Sequence, residues 1–235
     1  MKNLTNIKSG LVKFRIFFLF LIGAVCFHSP YIVLASSELS NELPKPYKLI
    51  ILGDSLTEGY GVAQTAAFPA LIQKKAEAEK LNWTIISSGS SGSTSASGLQ
   101  RIKWISKDKP DMVLVLLGSN DGLRGLKLEE TEKNLARVIE WAQQNKLSLA
   151  LGQLHVPPNY GEDYFKKFSS IYPRLSKKYK IPLLPFLLDK VAGDKSLNLA
   201  DGIHPNEAGH KIVADGLYTP LKKILTDFEK SHSKK

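Results

Sequence analysis

The sequence predicts an α/β fold, a three-layer αβα sandwich with helices on both faces of a five-stranded parallel sheet. From Tyr47 onward, short apolar runs alternate with segments whose apolar residues recur at helical spacing. The run DMVLVLLG, residues 111–118, is continuously apolar after its first residue, as expected for a strand covered on both faces. Strands that alternate with helices are joined in parallel by right-handed crossovers. Since no repeat or long linker interrupts residues 47–228, we predict one domain there.

The predicted elements follow in a regular order along the chain. Short runs rich in Ile, Leu and Val predict strands at residues 47–53, 83–88, 111–118, 147–153 and 181–186. Helical patterns between and after them predict helices at residues 66–81, 97–106, 129–145, 164–179 and 206–224. Pro173 predicts a kink or restart in the fourth helix, and Pro220 predicts a break in the last one.

Residues 1–35 have the pattern of a secretory signal peptide. Residues 1–15 carry basic side chains and no acidic one, and residues 16–27 are uncharged and mostly Phe, Leu and Ile. Small residues stand three and one positions before Ser36, as at a signal cleavage site. We therefore expect a periplasmic or secreted mature protein, in which residues 36–46 form a leader to the first strand.

Three other interpretations of this segment are weaker, and one of them, a buried core helix, would not explain the basic start. A signal anchor needs about 20 consecutive apolar residues, and His28 and Pro30 interrupt the run, so anchoring in the inner membrane is the lesser alternative. A lipoprotein would place a small residue before its cysteine, but Val25 precedes Cys26.

Composition narrows the classes of partner. The formal net charge is +10, and loss of the four basic residues of the signal segment lowers it to +6. Residues 229–235 form a basic tail that we expect to be disordered. No basic motif is interleaved with aromatic residues, so nucleic acid is not an expected partner, whereas peripheral contact with an anionic membrane surface is kept as an alternative. We expect a monomer.

Neither a disulfide nor a metal site is predicted. Cys26 is the sole cysteine and lies in the signal segment, so the mature chain would have none. The chain shows neither an H-x-x-x-H motif nor paired aspartates at metal-ligand spacing. We therefore expect no metal and no cofactor.

Polar loops follow the predicted strands on one side. Open parallel sheets bind ligands outside the carboxyl ends of their strands, near the point where the strand order reverses. Periodicity does not give the order, but a flavodoxin-like order, 2-1-3-4-5, would place the reversal between strands one and three. The loops at that edge are then GDSLTEG, SGSSGSTSASG, GSNDGLRG and QLHVPPNYG, with LADGIHPNEAGH before the last helix. Their small residues suit a close approach of backbone to substrate.

Four of these blocks, taken in order, resemble the SGNH/GDSL hydrolases: GDSL, the glycine loop after strand two, GSND, and DGIHP. The stretches ILGDSLTEGYG, NDGLRG, PPNYG, IYPRL and IPLLPF are similar to the bacterial multifunctional acyl-thioesterase, lysophospholipase and arylesterase subgroup. The resemblance covers residues 48–217. It implies the SGNH hydrolase fold with strand order 2-1-3-4-5 and an esterase that hydrolyses esters and thioesters through an acyl-enzyme. The predicted signal peptide would direct this esterase out of the cytoplasm.

The resemblance places a catalytic triad on three residues. Ser55 would attack the acyl carbonyl, although Gly, Asp and Ser are also the commonest turn residues. His204 would be the general base and acid, because histidine is the side chain most often used for proton transfer at neutral pH. Asp201, three residues earlier, would accept a hydrogen bond from the imidazole and orient it. Pro205 is expected in the first turn of the following helix. Since no G-x-S-x-G surrounds Ser55, the nucleophile elbow of α/β-hydrolases is excluded.

The resemblance also assigns an oxyanion hole. Its donors would be the backbone N–H groups of Ser55 and Gly92 and the side-chain amide of Asn120. Gly92 is chosen over Gly89 and Gly98 because SGSTSASGL aligns best there.

Several other polar residues have plainer interpretations. Ser119 stands where the family commonly has a glycine, and it either narrows the site or adds a polar contact. Asp54 is interpreted as a loop-stabilising carboxylate, because adjacent residues on a strand tip point apart. His155 either contacts substrate or is structural, and the second is preferred. His210 is expected at the surface and His232 in the disordered tail.

The segment GLRGLK after Asn120 is a candidate substrate loop. We expect a mobile flap in which Leu123 and Arg124 face the substrate and Gly122 and Gly125 act as hinges. An ordinary surface loop is the alternative.

The sequence therefore predicts a serine esterase that acts on small-molecule esters or lysolipids. A carbohydrate O-deacetylase of the same fold is the rival with the same chemistry, and it would require a polar groove. A non-catalytic protein that binds lipid or cell surfaces is the rival from another class, because fold alone does not determine function.

Overall fold

The structure is a computed structural model that describes residues 45–157 and 160–232. The predicted signal segment and most of the leader lie outside the described residues. The five strands are β1 (Tyr47–Gly53), β2 (Trp83–Ser88), β3 (Met112–Leu116), β4 (Ser148–Gln153) and β5 (Leu183–Phe186). All neighbours are parallel, in the order β2-β1-β3-β4-β5, which confirms the predicted sheet.

The helices are α1 (Ser55–Glu58), α2 (Phe68–Ala78), α3 (Gly98–Ile105), α4 (Ser119–Leu123), α5 (Leu128–Gln144), α6 (Glu162–Ser169), α7 (Ile171–Tyr179) and α8 (Glu207–His232). Short 3₁₀ turns lie at Gln64–Ala66, Ser95–Ser97 and Ser106–Asp108. The prediction missed α1 and α4, which are too short to show a helical period. The predicted fourth helix restarts at Ser170, and Pro173 lies in the first turn of α7, where a missing N–H removes no helical hydrogen bond.

The strand order places helices on both faces of the sheet. The chain moves outward from β1 to β2 and then back past β1 to β3, so right-handed crossovers put α2 and α3 on opposite faces. Consistent with this, α2 packs on α8, whereas α3 packs on α5 and α5 on α7. The central strands β1 and β3 are buried almost throughout, as a strand covered on both faces must be.

The predicted break at Pro220 is wrong, because α8 continues through it. Leu217 and Tyr218 before the proline and Leu221 and Leu225 after it are all buried in the same core. Packing on both sides therefore offsets the hydrogen bond that proline removes.

The prediction of a disordered tail is wrong for residues 229–232, which continue α8. The Trp83 indole lies 2.6 Å from a Glu229 carboxylate oxygen and donates a hydrogen bond to it. The His232 ring stacks on Phe228 with centroids 3.9 Å apart. These contacts join the end of α8 to the sheet and to its own preceding turn, whereas sequence composition shows only a basic segment.

Two features are absent from the described residues. No helix there is long and apolar enough to cross a membrane. No group of three or more His, Cys, Asp or Glu side chains there is arranged to hold a metal ion.

The prediction that His210 lies at the surface is wrong, because its side chain is 1% exposed. Its Nδ1 accepts the N–H of Phe68 at 3.2 Å, and the two rings stack. The N-cap residue of α2 is Ala67, whose side chain cannot accept a hydrogen bond from the first turn. His210 therefore satisfies the Phe68 N–H, which the start of the helix would otherwise leave without a partner. Burial, helped by the charge of His204, lowers the pKa of His210 to about 4.

The buried His210 should make stability depend on pH. Its folded-state pKa of about 4 lies below the usual 6.5, so the neutral ring stabilises the fold fully above pH 6.5 and this contribution is lost as the pH falls towards 4. Between pH 7 and pH 4.5 wild type should lose about 2 kcal/mol that His210→Gln does not lose. Urea unfolding of both proteins across this range measures the difference in free energy, and a difference that stays constant would contradict the prediction.

Candidate active site

A pocket of about 540 Å³ opens at the carboxyl ends of the strands, and Ser55, Asn120 and His204 lie at its polar end. The strand order reverses between β1 and β3, which is the position where such folds bind ligands. The rest of the lining is mainly apolar and includes Leu123, Val156, Phe165, Phe186, Leu188 and Ile203. The pocket therefore joins a polar end to an apolar extension.

Ser55 is presented by a tight turn at the end of β1. Gly53 is required there, because a Cβ at this position would lie 1.9 Å from Thr57 Oγ1. Asp54 caps α1 by accepting the N–H of Leu56 at 3.1 Å, so the chain turns directly into a helix that begins with Ser55. The Ser55 residue is 8% exposed. Its hydroxyl is thus held at the edge of the pocket and not in the core.

The structure brings Ser55, His204 and Asp201 together as predicted. Nε2 of His204 lies 2.8 Å from Ser55 Oγ, and Nδ1 lies 2.8 Å from Asp201 Oδ2. Ser55 and His204 are 149 positions apart in the chain. The imidazole thus connects a hydroxyl to a carboxylate, an arrangement in which the ring can accept the serine proton.

Asp201 is held by its own loop. Its Oδ1 accepts the backbone N–H groups of Ile203 at 2.9 Å and of His204 at 3.0 Å. Partial burial acts to raise the pKa of Asp201, but these bonds and the bond to the His204 ring outweigh it, and the pKa lies below its usual value. The carboxylate is therefore ionised at neutral pH and can fix the imidazole with its proton on Nδ1.

Pro205 lies outside the last helix, which corrects the prediction that it occupies the first turn. Helix α8 begins at Glu207, and Pro205 forms an isolated antiparallel bridge with Asn198. The His204 carbonyl accepts the Leu199 N–H at 2.7 Å within the same loop. Backbone pairing within this loop therefore holds His204 in place.

Asn120 lies in the first turn of α4 and shares the pocket with Ser55. Its Nδ2 donates to the Ser93 carbonyl at 3.0 Å and lies 3.4 Å from Asp54 Oδ2. The amide is thus anchored by the loop after β2 and by the cap of α1. The amide has two hydrogens, and the one near Asp54 is only weakly held at 3.4 Å, so it is suited to donate instead to an oxyanion formed beside Ser55.

Gly92 lies in the adjoining loop, one residue from the carbonyl that holds Asn120. Its φ of +74° is in the left-handed region that favours glycine. Its carbonyl accepts from Arg124 Nη2 at 3.1 Å. The neighbouring Ser91 is bonded through its N–H and its hydroxyl to Glu58. The loop that carries Gly92 is therefore tied at two points, but the role of the Gly92 N–H stays a prediction.

Asp54 is buried beneath these groups, with 1% of its surface exposed. Burial raises its pKa to about 6, against the opposing effects of the Leu56 N–H, the Ser119 hydroxyl and the charge of His204. Ser119 thus adds a polar contact where the family commonly has glycine. Asp54 stabilises the loop, as predicted, and contacts no part of the Ser55–His204–Asp201 chain through a hydrogen bond in the described residues.

The candidate flap is only partly as expected. Leu123 lines the pocket, and Arg124 binds the Gly92 carbonyl. Gly122 lies within α4, and a Cβ there would come 2.2 Å from Val156 Cγ1, so close packing explains this glycine and the hinge interpretation is wrong for it. Gly125, with φ +62° and open space around it, is the position that retains backbone freedom.

His155 lies in the wall of the pocket. Its ring stacks on Phe186 with centroids 4.1 Å apart and meets Phe165 edge-on at 5.4 Å. Gln153 Nε2 lies 2.9 Å from its Nε2. Desolvation lowers the pKa of His155, so its ring is neutral and packs in the pocket wall as an aromatic side chain. Stacking against two aromatic rings supports the preferred structural interpretation, and contact of His155 with substrate stays a prediction.

Sequence reasoning missed a buried carboxylate behind the site. Asp121 is 2% exposed and accepts the Ser95 N–H at 2.8 Å, the Ser95 hydroxyl and the Thr131 hydroxyl. Asn134 donates to the Ser95 hydroxyl at 3.1 Å. This network joins the loop after β2 to α4 and α5. The sequence did offer a signal for this network. Asp121 directly follows Asn120 shortly after the end of β3, and the loop after β2 is rich in serines that could bond to it.

Arg101 is a second residue that the sequence did not indicate. From α3 it donates to the Gly53 carbonyl at 2.7 Å and to the Ser88 carbonyl at 2.5 Å. These carbonyls end two neighbouring strands whose loops then diverge. The guanidinium therefore satisfies carbonyls at the strand ends just below the site.

Comparison with known proteins gives consistent results. The model of the GDSL-like lipase/acylhydrolase family matches residues 51–212. The chain is 38% identical over 178 residues to thioesterase 1/protease 1/lysophospholipase L1 of Escherichia coli strain K12, covering 75% of this chain and 84% of that protein. It is 34% identical to esterase TesA of Pseudomonas aeruginosa, covering 75% and 89%. The structure of the psychrotrophic esterase EstA of Pseudoalteromonas sp., inhibited by monoethylphosphonate, matches with a TM-score of 0.73 and 33% identity, covering 76% and 98%.

Proposed function

Because the chain belongs to the GDSL-like lipase/acylhydrolase family, we propose that it is a serine hydrolase that cleaves carboxylic esters and thioesters through an acyl-enzyme on Ser55. The single observation that carries this proposal is the hydrogen-bonded chain from Asp201 through His204 to Ser55, at 2.8 Å for each link, at the mouth of an apolar pocket.

The first half of the reaction forms the acyl-enzyme. As Ser55 Oγ attacks the acyl carbonyl, Nε2 of His204 takes its proton and the carbonyl oxygen becomes an oxyanion. The resulting imidazolium then gives that proton to the leaving alkoxide or thiolate as its bond to the acyl carbon breaks. Asp201, ionised and bonded to Nδ1, stabilises the imidazolium between these two transfers.

The second half releases the acid. Water attacks the acyl carbon and gives a proton to His204, and the imidazolium returns a proton to Ser55 Oγ as the carboxylic acid departs. The Asn120 amide is proposed to donate to the oxyanion in both halves, with the N–H groups of Ser55 and Gly92. One such donor typically lowers the barrier by about 3 kcal/mol.

The pocket favours an acyl substrate over a sugar ester. Side chains such as Phe186, Leu188 and Ile203 form an apolar extension beyond the polar end. Burial of an acyl chain against them is favourable, whereas sugar hydroxyls would lose water without finding partners. We therefore propose small-molecule esters and lysolipids as the substrate class and disfavour the carbohydrate deacetylase. Thioester turnover would be secondary, since an exported protein rarely meets acyl-CoA.

Activity should rise with acyl length until the pocket is filled. Across p-nitrophenyl esters of about two to twelve carbons, kcat/KM for octanoate should exceed that for acetate by about tenfold or more, because each buried methylene contributes about 0.8 kcal/mol. Phe186→Ala should reduce this ratio, and Trp104→Ala, a change of a 65% exposed side chain on α3, should not. If kcat/KM were highest for acetate and fell steadily as the acyl chain lengthened, the result would instead favour the deacetylase.

We propose that the protein acts outside the cytoplasm after removal of residues 1–35, which have the basic, apolar and small-residue order of a signal peptide. Expression of the full chain in a Gram-negative host should give a periplasmic or secreted product whose N-terminus lies near Ser36. Cell fractionation gives the location of the product, and N-terminal sequencing of the fractionated protein gives its first residue. A full-length product in the inner membrane would support the signal anchor instead.

A further inference from the structure

We infer that Tyr60 is a positioning residue for His204, whose ring covers one face of the imidazole and keeps Nε2 directed at Ser55. The two rings lie with centroids 4.6 Å apart at an interplanar angle of 41°. This inference rests on the proposed function, in which His204 moves the proton of Ser55. Tyr60 is not among the residues that line the pocket, so its contact is with the base and not with the acyl extension.

The turn that carries Tyr60 is built to hold it there. Gly59 and Gly61 on either side have φ values of +81° and +79°, in the left-handed region. A Cβ on Gly61 would lie 2.4 Å from Leu199 Cδ1. Leu199 belongs to the loop of His204 and donates its N–H to the His204 carbonyl at 2.7 Å. The turn is therefore packed on the same loop that positions the imidazole.

The other end of the turn is tied to the nucleophile. The N–H groups of Gly59 and Tyr60 both donate to the Ser55 carbonyl at 3.0 Å. The backbone around Tyr60 thus contacts Ser55, the first residue of α1, and, through Gly61, the loop of the base. Tyr60 is therefore joined to the nucleophile through its backbone and to the base through its ring, and these two groups must keep a fixed distance during proton transfer.

The exposure of Tyr60 argues against a role in the core. The residue is 51% exposed, so it does not contribute to the buried core. Its ring contact in this part of the chain is the one with His204. The contact with His204 explains why a large aromatic ring is held at this half-exposed position.

The imidazole needs such support because its carboxylate partner is in contact with water. The side chain of Asp201 is 38% exposed and that of His204 is 18% exposed. Water weakens a hydrogen-bonded ion pair and allows other ring orientations. The Tyr60 ring removes water from one face of the imidazole. The ring, tilted by 41° with its centroid 4.6 Å from that of His204, is also close enough to stabilise the imidazolium that forms during the reaction.

The test compares Tyr60→Ala, Tyr60→Leu and Tyr60→Phe with wild type, and uses Trp104→Ala as the matched loss of an exposed aromatic ring. Hydrolysis of p-nitrophenyl acetate gives kcat and KM, and the rate of inactivation by a fluorophosphonate reports activation of Ser55 directly. Tyr60→Ala and Tyr60→Leu should lower kcat and the inactivation rate by about tenfold with KM changed less than about twofold. Tyr60→Phe and Trp104→Ala should match wild type.

The outcomes separate this inference from the proposed function. Full activity in Tyr60→Ala, or full activity in a folded Tyr60→Leu, would overturn the role of the ring while Ser55-dependent hydrolysis still stood. A loss in Tyr60→Phe equal to that in Tyr60→Ala would assign the effect to the hydroxyl and overturn it too. If wild type showed no hydrolysis that depends on Ser55, the proposed function and this inference would fail together.

Discussion

Replacement of Ser55 by alanine should abolish ester hydrolysis, with a fall in kcat of about 10⁴-fold or more. The change removes the oxygen that forms the acyl-enzyme and leaves His204 with no proton to take. The fold should be unaffected, because the hydroxyl makes its hydrogen bond to His204, and alanine is favourable in a helix. Hydrolysis of p-nitrophenyl butyrate measures the loss, and the thermal midpoint should stay within about 2 °C of wild type.

A matched control distinguishes loss of the nucleophile from loss of any serine. Ser106→Ala removes a hydroxyl from an exposed 3₁₀ turn, where it donates to the Lys103 carbonyl. This variant should keep full activity and full labelling by a fluorophosphonate, whereas Ser55→Ala should lose both. Labelling of wild type would also exclude a non-catalytic binding protein. Retention of wild-type hydrolysis in Ser55→Ala would refute the proposed function.

Replacement of Asp201 by asparagine should lower kcat by about 10³-fold, the second largest effect. The new side chain keeps an oxygen for the N–H groups of Ile203 and His204, so the loop should remain folded. Its NH₂ group would face Nδ1 of His204 and donate to it. That bond places the ring proton on Nε2, where the imidazole can no longer accept from Ser55. The loss should thus appear in kcat with little change in KM.

Asp194 provides the matched control for this change. It also accepts, through Oδ1, the N–H of the residue two positions on, but it holds Ser196 and no imidazole. Asp194→Asn should therefore leave kcat within about twofold of wild type. If Asp201→Asn retained kcat within about fivefold, Asp201 would not orient the base, and the mechanism would rest on Ser55 and His204 alone.

Local sequence patterns determined the elements of the fold and the residue types of the site. Runs rich in apolar residues located the five strands to within two residues at each end. The run of β3 is continuously apolar, because a strand covered on both faces needs apolar residues throughout. The blocks GDSL, GSND and DGIHP placed Ser55, Asn120 and His204 at strand ends or before the last helix, where loops of parallel sheets converge. The tertiary structure shows that these side chains share one pocket.

Tertiary structure alone decided which of the remaining polar residues are buried and what they contact. His210 is buried because α8 packs on the start of α2, and α8 passes Pro220 because buried leucines hold it on both sides. The need for glycine at position 122 comes from Val156, which lies 34 positions further along the chain. The ring of Tyr60 contacts His204, which comes from the other end of the domain. The physical reason is that periodicity and turn chemistry act over a few residues, whereas burial and contact depend on which distant segments the sheet brings together.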